Sequence, residues 1–295
     1  MRVLLLGSSG QVGHAFETSD AFAGERNELV MATRRECDLA NAAGLGLLLR
    51  RVRPDVIVNA AAYTAVDKAE EDRETCYAVN ATAPGVMARE AAALGAKLVH
   101  YSTDYVFDGT KGGTYTEGDP TGPRNVYGAS KLAGEEAIAE AGGEFLILRT
   151  SWVYSNHGAN FLKTMLRLGA ERPELRIVAD QHGAPTSADA IADATAKILR
   201  KATAGQWTSG VFHMTAAGAT TWYGFAKAIF ARAADVKPNL IPITTADYPT
   251  PAARPANSVL SNDKFAVTFG FRLPNWEQQL DAVMTARAAE VHADT

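Results

Sequence analysis

The stretch Arg2-Val3-Leu4-Leu5-Leu6-Gly7-Ser8-Ser9-Gly10-Gln11-Val12-Gly13 joins a short apolar run to three glycines. An apolar run that stops at Gly7 reads as a strand buried on both faces, the kind found in parallel sheets. A helix is expected to open near Gly10 and run to about Asp20. Glycine lets the turn take backbone angles that other residues avoid, and lets amides approach a pyrophosphate at the helix N-terminus. The Gly13 position permits close helix–strand packing. The spacing is G-x-x-G-x-x-G rather than G-x-G-x-x-G, and three glycines alone are weak evidence. The strand before and the helix after them carry the reading of a dinucleotide site at Gly7, Gly10, Gln11, Val12 and Gly13.

Downstream the pattern alternates. Residues 28–33, 55–59, 97–102 and 144–149 read as strands, and 42–53, 74–94 and 127–141 as helices, with Pro54 stopping the first of these helices. Such alternation is the signature of an α/β fold, a Rossmann-type doubly wound parallel sheet. Beyond about residue 155 the elements shorten and Gly, Thr and Pro loops increase. The expected division is a dinucleotide-binding domain at 1–155 and a smaller C-terminal substrate lobe at 156–295. That lobe is partly interleaved with the sheet, to which 175–178 is a candidate to return. Ligands of such sheets bind beyond the carboxyl ends of the strands. The Gly7 turn, Ser102-Thr103 and Arg149-Thr150-Ser151-Trp152 all fall there.

A chain of 295 residues with 47 % hydrophobic content can bury a large core and a smaller one. The net charge of −4 gives no basic excess for nucleic acid or an anionic membrane, so an anionic substrate must be met by local Lys or Arg. The two cysteines, Cys37 and Cys76, form no CxxC or Cys/His cluster, which argues against a disulfide framework or a structural zinc. The apolar stretch at Met1 is too short for a signal peptide, and no run reaches membrane-spanning length. The expectation is a cytoplasmic protein.

The chemistry points to Tyr127-Gly128-Ala129-Ser130-Lys131, which follows Ser102-Thr103-Asp104 after a loop. Tyr127 and Lys131 sit four apart in a helical stretch and share one face. A Lys ammonium beside a phenol stabilises the phenolate and draws its pKa down from about 10. With a hydroxyl from the neighbouring strand, that pair suits making or breaking a carbinol. The spacing alone is worth little: with nine Tyr in the chain, one Tyr-x-x-x-Lys by chance is about a one-in-three event. Tyr223 and Lys227 repeat it inside an apolar stripe of Trp222, Phe225, Ala226, Ile229 and Phe230, where it reads as a core-facing helix with Lys227 in solvent. For the first copy, position carries the signal. Thr103 is the favoured hydroxyl, Ser102 the runner-up.

An NAD-preferring site tends to end its second strand on an acid that holds the ribose 2′-hydroxyl. Here the strand ends Ala32-Thr33-Arg34-Arg35. Two guanidinium groups can pair with a 2′-phosphate, which favours NADPH over NADH.

These motifs together resemble the extended short-chain dehydrogenase/reductase superfamily, and within it the dTDP-4-dehydrorhamnose reductases. The likeness runs nearly the whole chain, through Gly7–Gly13, 58–70, 101–107, 125–128, 149–154, 180–186 and 248–252. It implies reduction of the C4 keto group of a dTDP-4-keto-6-deoxysugar by NADPH or NADH, with Tyr127 as proton donor, Lys131 as its partner and Thr103 bonding the substrate oxygen. It implies further that Gly10, Gln11 and Val12 form the pyrophosphate turn, that Asp38 and Leu39 meet the adenine, and that Ala62, Tyr63 and Thr64 line the cofactor. Asp104 and Trp152 fall at substrate-contacting positions. Arg254, between Pro251 and Pro255, suits a diphosphate clamp. Some members form homodimers through magnesium; Asp189 could serve such a site, but position 15 is Ala, so no metal is expected. The rivals are a nucleotide-sugar epimerase or 4,6-dehydratase on the same scaffold, and a non-catalytic subunit resembling the β subunit of methionine adenosyltransferase. In the dehydratases an Asp-Glu pair commonly follows the hydroxyl, whereas here Asp104-Tyr105 does.

Overall fold

Six strands lie side by side, all parallel: β1 (Arg2–Leu6), β2 (Glu28–Ala32), β3 (Val56–Asn59), β4 (Lys97–Thr103), β5 (Glu144–Thr150) and the strand Gly210–His213. The computed structural model describes residues 1–19, 28–233 and 236–293, so Asp20, the expected end of the first helix, lies outside it. Across the sheet the order is Gly210–His213, β5, β4, β3, β1, β2. The chain steps from β1 to β2 on one side and returns to β3 on the other. A crevice opens at that reversal, beyond the carboxyl ends of β1 and β3.

Alternation along β1 explains why both faces are covered. Val3 and Leu5 pack with α1 (Gln11–Thr18) and the helices Ala188–Thr203 and Asp263–Phe269, while Leu4 and Leu6 pack with α2 (Ala42–Val52) and later helices on the opposite face. A third apolar cluster, with Tyr154, Leu162, Phe225, Ile229 and Leu280, lies outside the sheet's two faces. It buries Phe225 and Phe230 and leaves Lys227 exposed, as the core-facing reading of that helix requires.

Residues 175–178 do not return to the sheet. They belong to the strand Glu174–Val178, which pairs with Asn239–Ile243 in a separate two-stranded ribbon. Their alternating burial, with Leu175 and Ile177 inward and Arg176 outward, suits a ribbon with one wet face rather than a strand covered on both. The strand that does return is Gly210–His213.

The helical segment after β3 runs as α3 (Arg73–Tyr77), a π-helical turn at Ala78–Thr82, and α4 (Ala83–Leu94). The π turn bulges toward α5 (Val126–Ala141), where Gly134 receives it. A Cβ at Gly134 would sit 2.1 Å from the Asn80 carbonyl oxygen, so only glycine admits this approach. No helix among the described residues is long and apolar enough to cross a membrane.

Gly134→Ala is expected to destabilise the protein by about 1–3 kcal/mol through backbone overpacking, seen as a lower urea midpoint. Gly112→Ala, where an added Cβ meets nothing within 4 Å, serves as the control. Equal midpoints for the two variants would refute the contact.

Candidate active site

The glycine turn is a cradle that side chains would fill. Gly7 has φ +82°, and a Cβ there would lie 2.7 Å from the Ala61 amide nitrogen; one at Gly13 would lie 2.2 Å from the Gly7 carbonyl oxygen. Gly10 precedes α1 and no side chain caps that helix, so its first amides suit an anion. Val12 packs against the core beneath the turn. These features fit a dinucleotide pyrophosphate. Gln11 does more than the motif suggests: its Oε1 accepts from Ser155 Oγ at 3.2 Å and Asn160 Nδ2 at 2.8 Å. His157 Nε2 lies 3.3 Å from the Ser9 carbonyl oxygen, and its ring stacks on His14. Residues 155–160 are thus folded over the turn.

At the tip of β2, Arg34 is exposed and its Nη2 stands 3.6 Å from Asp38 Oδ2. The Arg35 amide donates to Thr33 Oγ1, Asp38 Oδ1 accepts from the Ala40 amide, and Leu39 is buried. An acid is present: Glu36 folds back so that its carboxylate accepts from the Thr33 amide at 2.7 Å and from the Thr33 hydroxyl. Those Thr33 bonds hold its pKa below the usual range. The acid lies beyond the strand tip in sequence, and only the turn brings it back.

Ala62, Tyr63 and Thr64 follow β3 on the same side of the sheet as the glycine turn. Asn80, from the π turn, clasps Tyr63 at both backbone groups: its Oδ1 accepts from Tyr63 N at 2.8 Å and its Nδ2 donates to Tyr63 O at 3.0 Å. The Tyr63 hydroxyl donates to Asp72, and Thr64 is exposed. Asn80 Nδ2 also donates to Ser130 Oγ on α5, which itself donates to the Tyr127 carbonyl. One amide therefore ties the loop after β3 to the helix carrying Tyr127.

The start of α5 is fixed from three directions. Asn125 Oδ1 accepts from the Gly128 amide, Glu70 Oε1 accepts from the Val126 amide, and Asn125 Nδ2 donates to the Ala253 carbonyl. A Cβ at Gly128 would sit 2.2 Å from the Tyr105 carbonyl oxygen, so the helix rests directly on the backbone after β4. This brings Tyr127 close to Thr103, whose side chain draws the phenol's pKa down. The expected lowering of the Tyr127 pKa by Lys131 is absent: burial outweighs Thr103 and pushes the phenol up to about 12. The Lys131 ammonium turns inward, donating to the Tyr101 carbonyl at 2.6 Å and meeting His100 Nε2 at 3.2 Å. Burial lowers its pKa to about 8, against the opposing pull of Glu135 and Cys76. Asp104 is buried beside Thr103, whose hydroxyl donates to its Oδ1 at 3.1 Å. Among the described residues Asp104 Oδ2 has no hydrogen-bond partner, and burial, opposed by Ser258 and Thr103, pushes this carboxyl up to about 7.

Ser102, the runner-up hydroxyl, donates to Glu135, which forms a buried two-point pair with Arg149 on β5. Its hydroxyl is committed to that network. Trp152 has φ +48°, a strained value for a bulky residue, and its indole stacks on Trp222 with ring centroids 3.6 Å apart. Gly183 makes room for that indole, since a Cβ there would come within 2.4 Å of it. Trp222 thus does more than the apolar stripe suggests. Arg254 is mostly buried, donating to Asp67 Oδ2 at 2.8 Å and to the Ala252 carbonyl. Asp189 lies in the first turn of the helix Ala188–Thr203, and the described residues hold no group of three or more His, Cys, Asp or Glu suited to a metal.

A glycine cradle at the strand reversal, with Thr103, Tyr127 and Lys131 gathered beside it, defines an NAD(P)H-dependent oxidoreductase of the short-chain dehydrogenase/reductase class. The comparisons narrow this. The family model described as RmlD substrate binding domain matches residues 1–288, and the chain belongs to that family. It is 51 % identical over 287 residues to a dTDP-4-dehydrorhamnose reductase of Burkholderia thailandensis, covering 94 % of this chain and 95 % of the relative. Against the dTDP-4-dehydrorhamnose reductase of Escherichia coli K12, identity is 46 % over 285 residues, covering 94 % of this chain and 95 % of that protein. A solved dTDP-4-dehydrorhamnose reductase from Bacillus anthracis in complex with NADP matches with TM-score 0.89 at 35 % identity, covering 97 % of this chain and 99 % of that one.

Two outcomes test the site's buried charges. Glu135→Leu leaves Arg149 buried without its partner and is expected to cost about 3–5 kcal/mol in urea unfolding. Glu135→Leu combined with Arg149→Met is expected to recover part of that loss. For Asp104, the carboxyl titrates at about 7 folded against an ordinary value of 3.8. The folded state holds the extra proton between those values, so this group's effect is to lower stability as pH rises from about 4 to about 7. Asp104→Asn cannot ionise, so its stability relative to wild type should be greater at about pH 8 than at about pH 5. An unchanged difference at the two pH values would contradict the buried-carboxyl assignment.

Proposed function

We propose that this chain catalyses the NAD(P)H-dependent reduction of the C4 keto group of dTDP-4-dehydro-L-rhamnose, giving dTDP-L-rhamnose. The observation that carries the reading is the seating of Tyr127 beside Thr103 at the end of β4, fixed by the contact of Gly128 with the Tyr105 carbonyl, in a chain whose relatives bear the reductase name. Reduced nicotinamide, when bound, supplies the hydride. Thr103 donates to the keto oxygen, where negative charge develops. Tyr127 gives its phenolic proton to the same oxygen as the alkoxide forms. Lys131 holds the nicotinamide ribose and so fixes the orientation of the reacting partners.

Gly7, Gly10, Gln11, Val12 and Gly13 hold the pyrophosphate, Asp38 and Leu39 the adenine end, and Ala62, Tyr63 and Thr64 the wall of the cofactor site. Asp104 and Trp152 face the sugar. Arg254 meets the substrate diphosphate, with Asp67 keeping its guanidinium in place. Arg34 and Arg35 favour NADPH: of the two acids nearby, Glu36 has its carboxylate committed to Thr33 and Asp38 stands 3.6 Å from Arg34. The division at about residue 155 assigns the cofactor to the first part of the chain and most of the sugar contacts to the second. The setting is cytoplasmic, and a homodimer without a magnesium bridge is the expected assembly.

The test supplies purified protein with NADPH or NADH and dTDP-4-keto-6-deoxy-L-mannose generated in situ from dTDP-glucose, following loss of reduced-nicotinamide absorbance. Oxidation is expected with both cofactors, faster with NADPH, and Tyr127→Phe should lower turnover by about 10²–10⁴-fold. Near wild-type turnover in folded Tyr127→Phe would sink the Tyr127 role. No oxidation by folded wild type would sink the substrate assignment.

A further inference from the structure

One buried base next to the catalytic set has no part in the scheme above. His100 lies in the middle of β4 and is almost wholly enclosed. Its Nδ1 is 2.9 Å from Asn59 Nδ2 and its Nε2 is 3.2 Å from Lys131 Nζ. The orientation of the Asn59 amide follows from its other contact, in which Oδ1 accepts from the Ala61 amide at 3.2 Å. Turning the amide over would set two donors, its NH2 group and the Ala61 N–H, against each other. Asn59 therefore donates to His100 Nδ1, and a ring nitrogen that accepts carries no hydrogen. The neutral imidazole must bear its hydrogen on Nε2, aimed at Lys131.

An ammonium offers three donors and no lone pair. Facing an Nε2–H, it makes a donor–donor contact. At 3.2 Å the pair is hydrogen-bonded only when Lys131 is an uncharged amine, which accepts from His100 and still donates to the Tyr101 carbonyl. Burial works the same way on both groups, holding His100 well below its ordinary pKa and Lys131 at about 8. The other groups bearing on Lys131 are Glu135 on its own helix and Cys76 on α3, both favouring the charged form. Arg149 on β5 offsets Glu135 by pairing with it.

We propose that His100 is a positioning residue that favours the uncharged form of Lys131, so that both protonation states of this lysine are available in the working enzyme. The proposal rests on the Tyr127–Lys131 reading above. Its consequence is that Lys131 can lose a proton and keep both of its hydrogen bonds, the amine accepting from His100 Nε2–H while it donates to the Tyr101 carbonyl. His100 keeps its own hydrogen throughout.

The experiment reads the resting protein first. Ring-nitrogen NMR of His100 is expected to show hydrogen on Nε2 and none on Nδ1. A hydrogen on Nδ1 would overturn the proposal without touching the reductase assignment. The pH titration of the Lys131 side-chain carbons, identified by their loss in Lys131→Arg, then gives the lysine pKa. In His100→Met, which removes the donor, it should rise by about one unit, the size of one net hydrogen bond. His100→Gln, with an amide able to donate to Lys131, should restore most of the wild-type value. If His100→Met fails to fold, the wild-type tautomer and His100→Gln still decide the matter. A Lys131 titration that stays unchanged in folded His100→Met would overturn the proposal, whereas failure of wild type to oxidise NADPH would strike only the reductase reading.

Discussion

Helix α5 lies where it does because two of its residues present no side chain to the backbone they meet. Gly128 sits on the Tyr105 carbonyl and Gly134 on the Asn80 carbonyl, at separations that leave no room for a Cβ. The first contact brings Tyr127 to Thr103. The second seats the π turn, from which Asn80 reaches both Tyr63 and Ser130. A π turn in an otherwise α-helical segment has a geometric role here, since it projects one carbonyl and one amide toward the active helix. Moving α5 outward by the width of a methyl group would separate the phenol from its hydroxyl and loosen the loop after β3 together.

Close backbone contact then obliges the interior to carry charge. With α5 pressed onto the sheet, Lys131 and Glu135 lie inside the protein, facing strands rather than solvent. Glu135 is matched by Arg149 in a two-point pair and by Ser102. Among the described residues Lys131 receives one full acceptor, the Tyr101 carbonyl, and a histidine whose hydrogen points the wrong way for an ammonium. Asp104 has one oxygen bonded and one bare among the described residues. The pair placed deeper along the helix is closed at both Glu135 oxygens, with Arg149 Nη1 left over, whereas the groups beside the phenol have no charged partner among those residues. Incomplete satisfaction is costly, and it collects here where chemistry can use a shifted proton affinity.

Much of this was legible in the sequence. The doubly wound sheet follows from alternating apolar runs and helices, and the glycine turn, Thr103, Tyr127 and Lys131 fall at strand ends and helix starts that periodicity alone places. What was hidden depends on long-range returns of the chain. Gln11 carries a meaning in the glycine motif, yet its side chain is spent on Ser155 and Asn160. Trp222 reads as one more apolar residue on a helix, and only the left-handed turn at Trp152 sets the two indoles face to face. Glu36 is invisible as a strand-tip acid because the turn that returns it lies past the strand. Gly210–His213 offers only Val211 and Phe212 between a glycine and a histidine and does not declare itself as a strand, while 175–178, with its better apolar pattern, pairs elsewhere.

The phenol's environment also bears on the direction of the chemistry. A cation beside Tyr127 was expected to ease its ionisation, and burial does the opposite, raising it to about 12. Such a phenol is fully protonated near neutral pH. That is the form required to give a proton to an alkoxide, a much stronger base than a phenolate, as hydride arrives at the carbonyl carbon. An enzyme that begins by oxidising its sugar needs the reverse, a phenolate ready to take the hydroxyl proton, and burial works against it. Thr103 pulls toward the phenolate, but by less than burial pushes away. In this state the phenol is held in the protonated form that a reductase's proton donor needs.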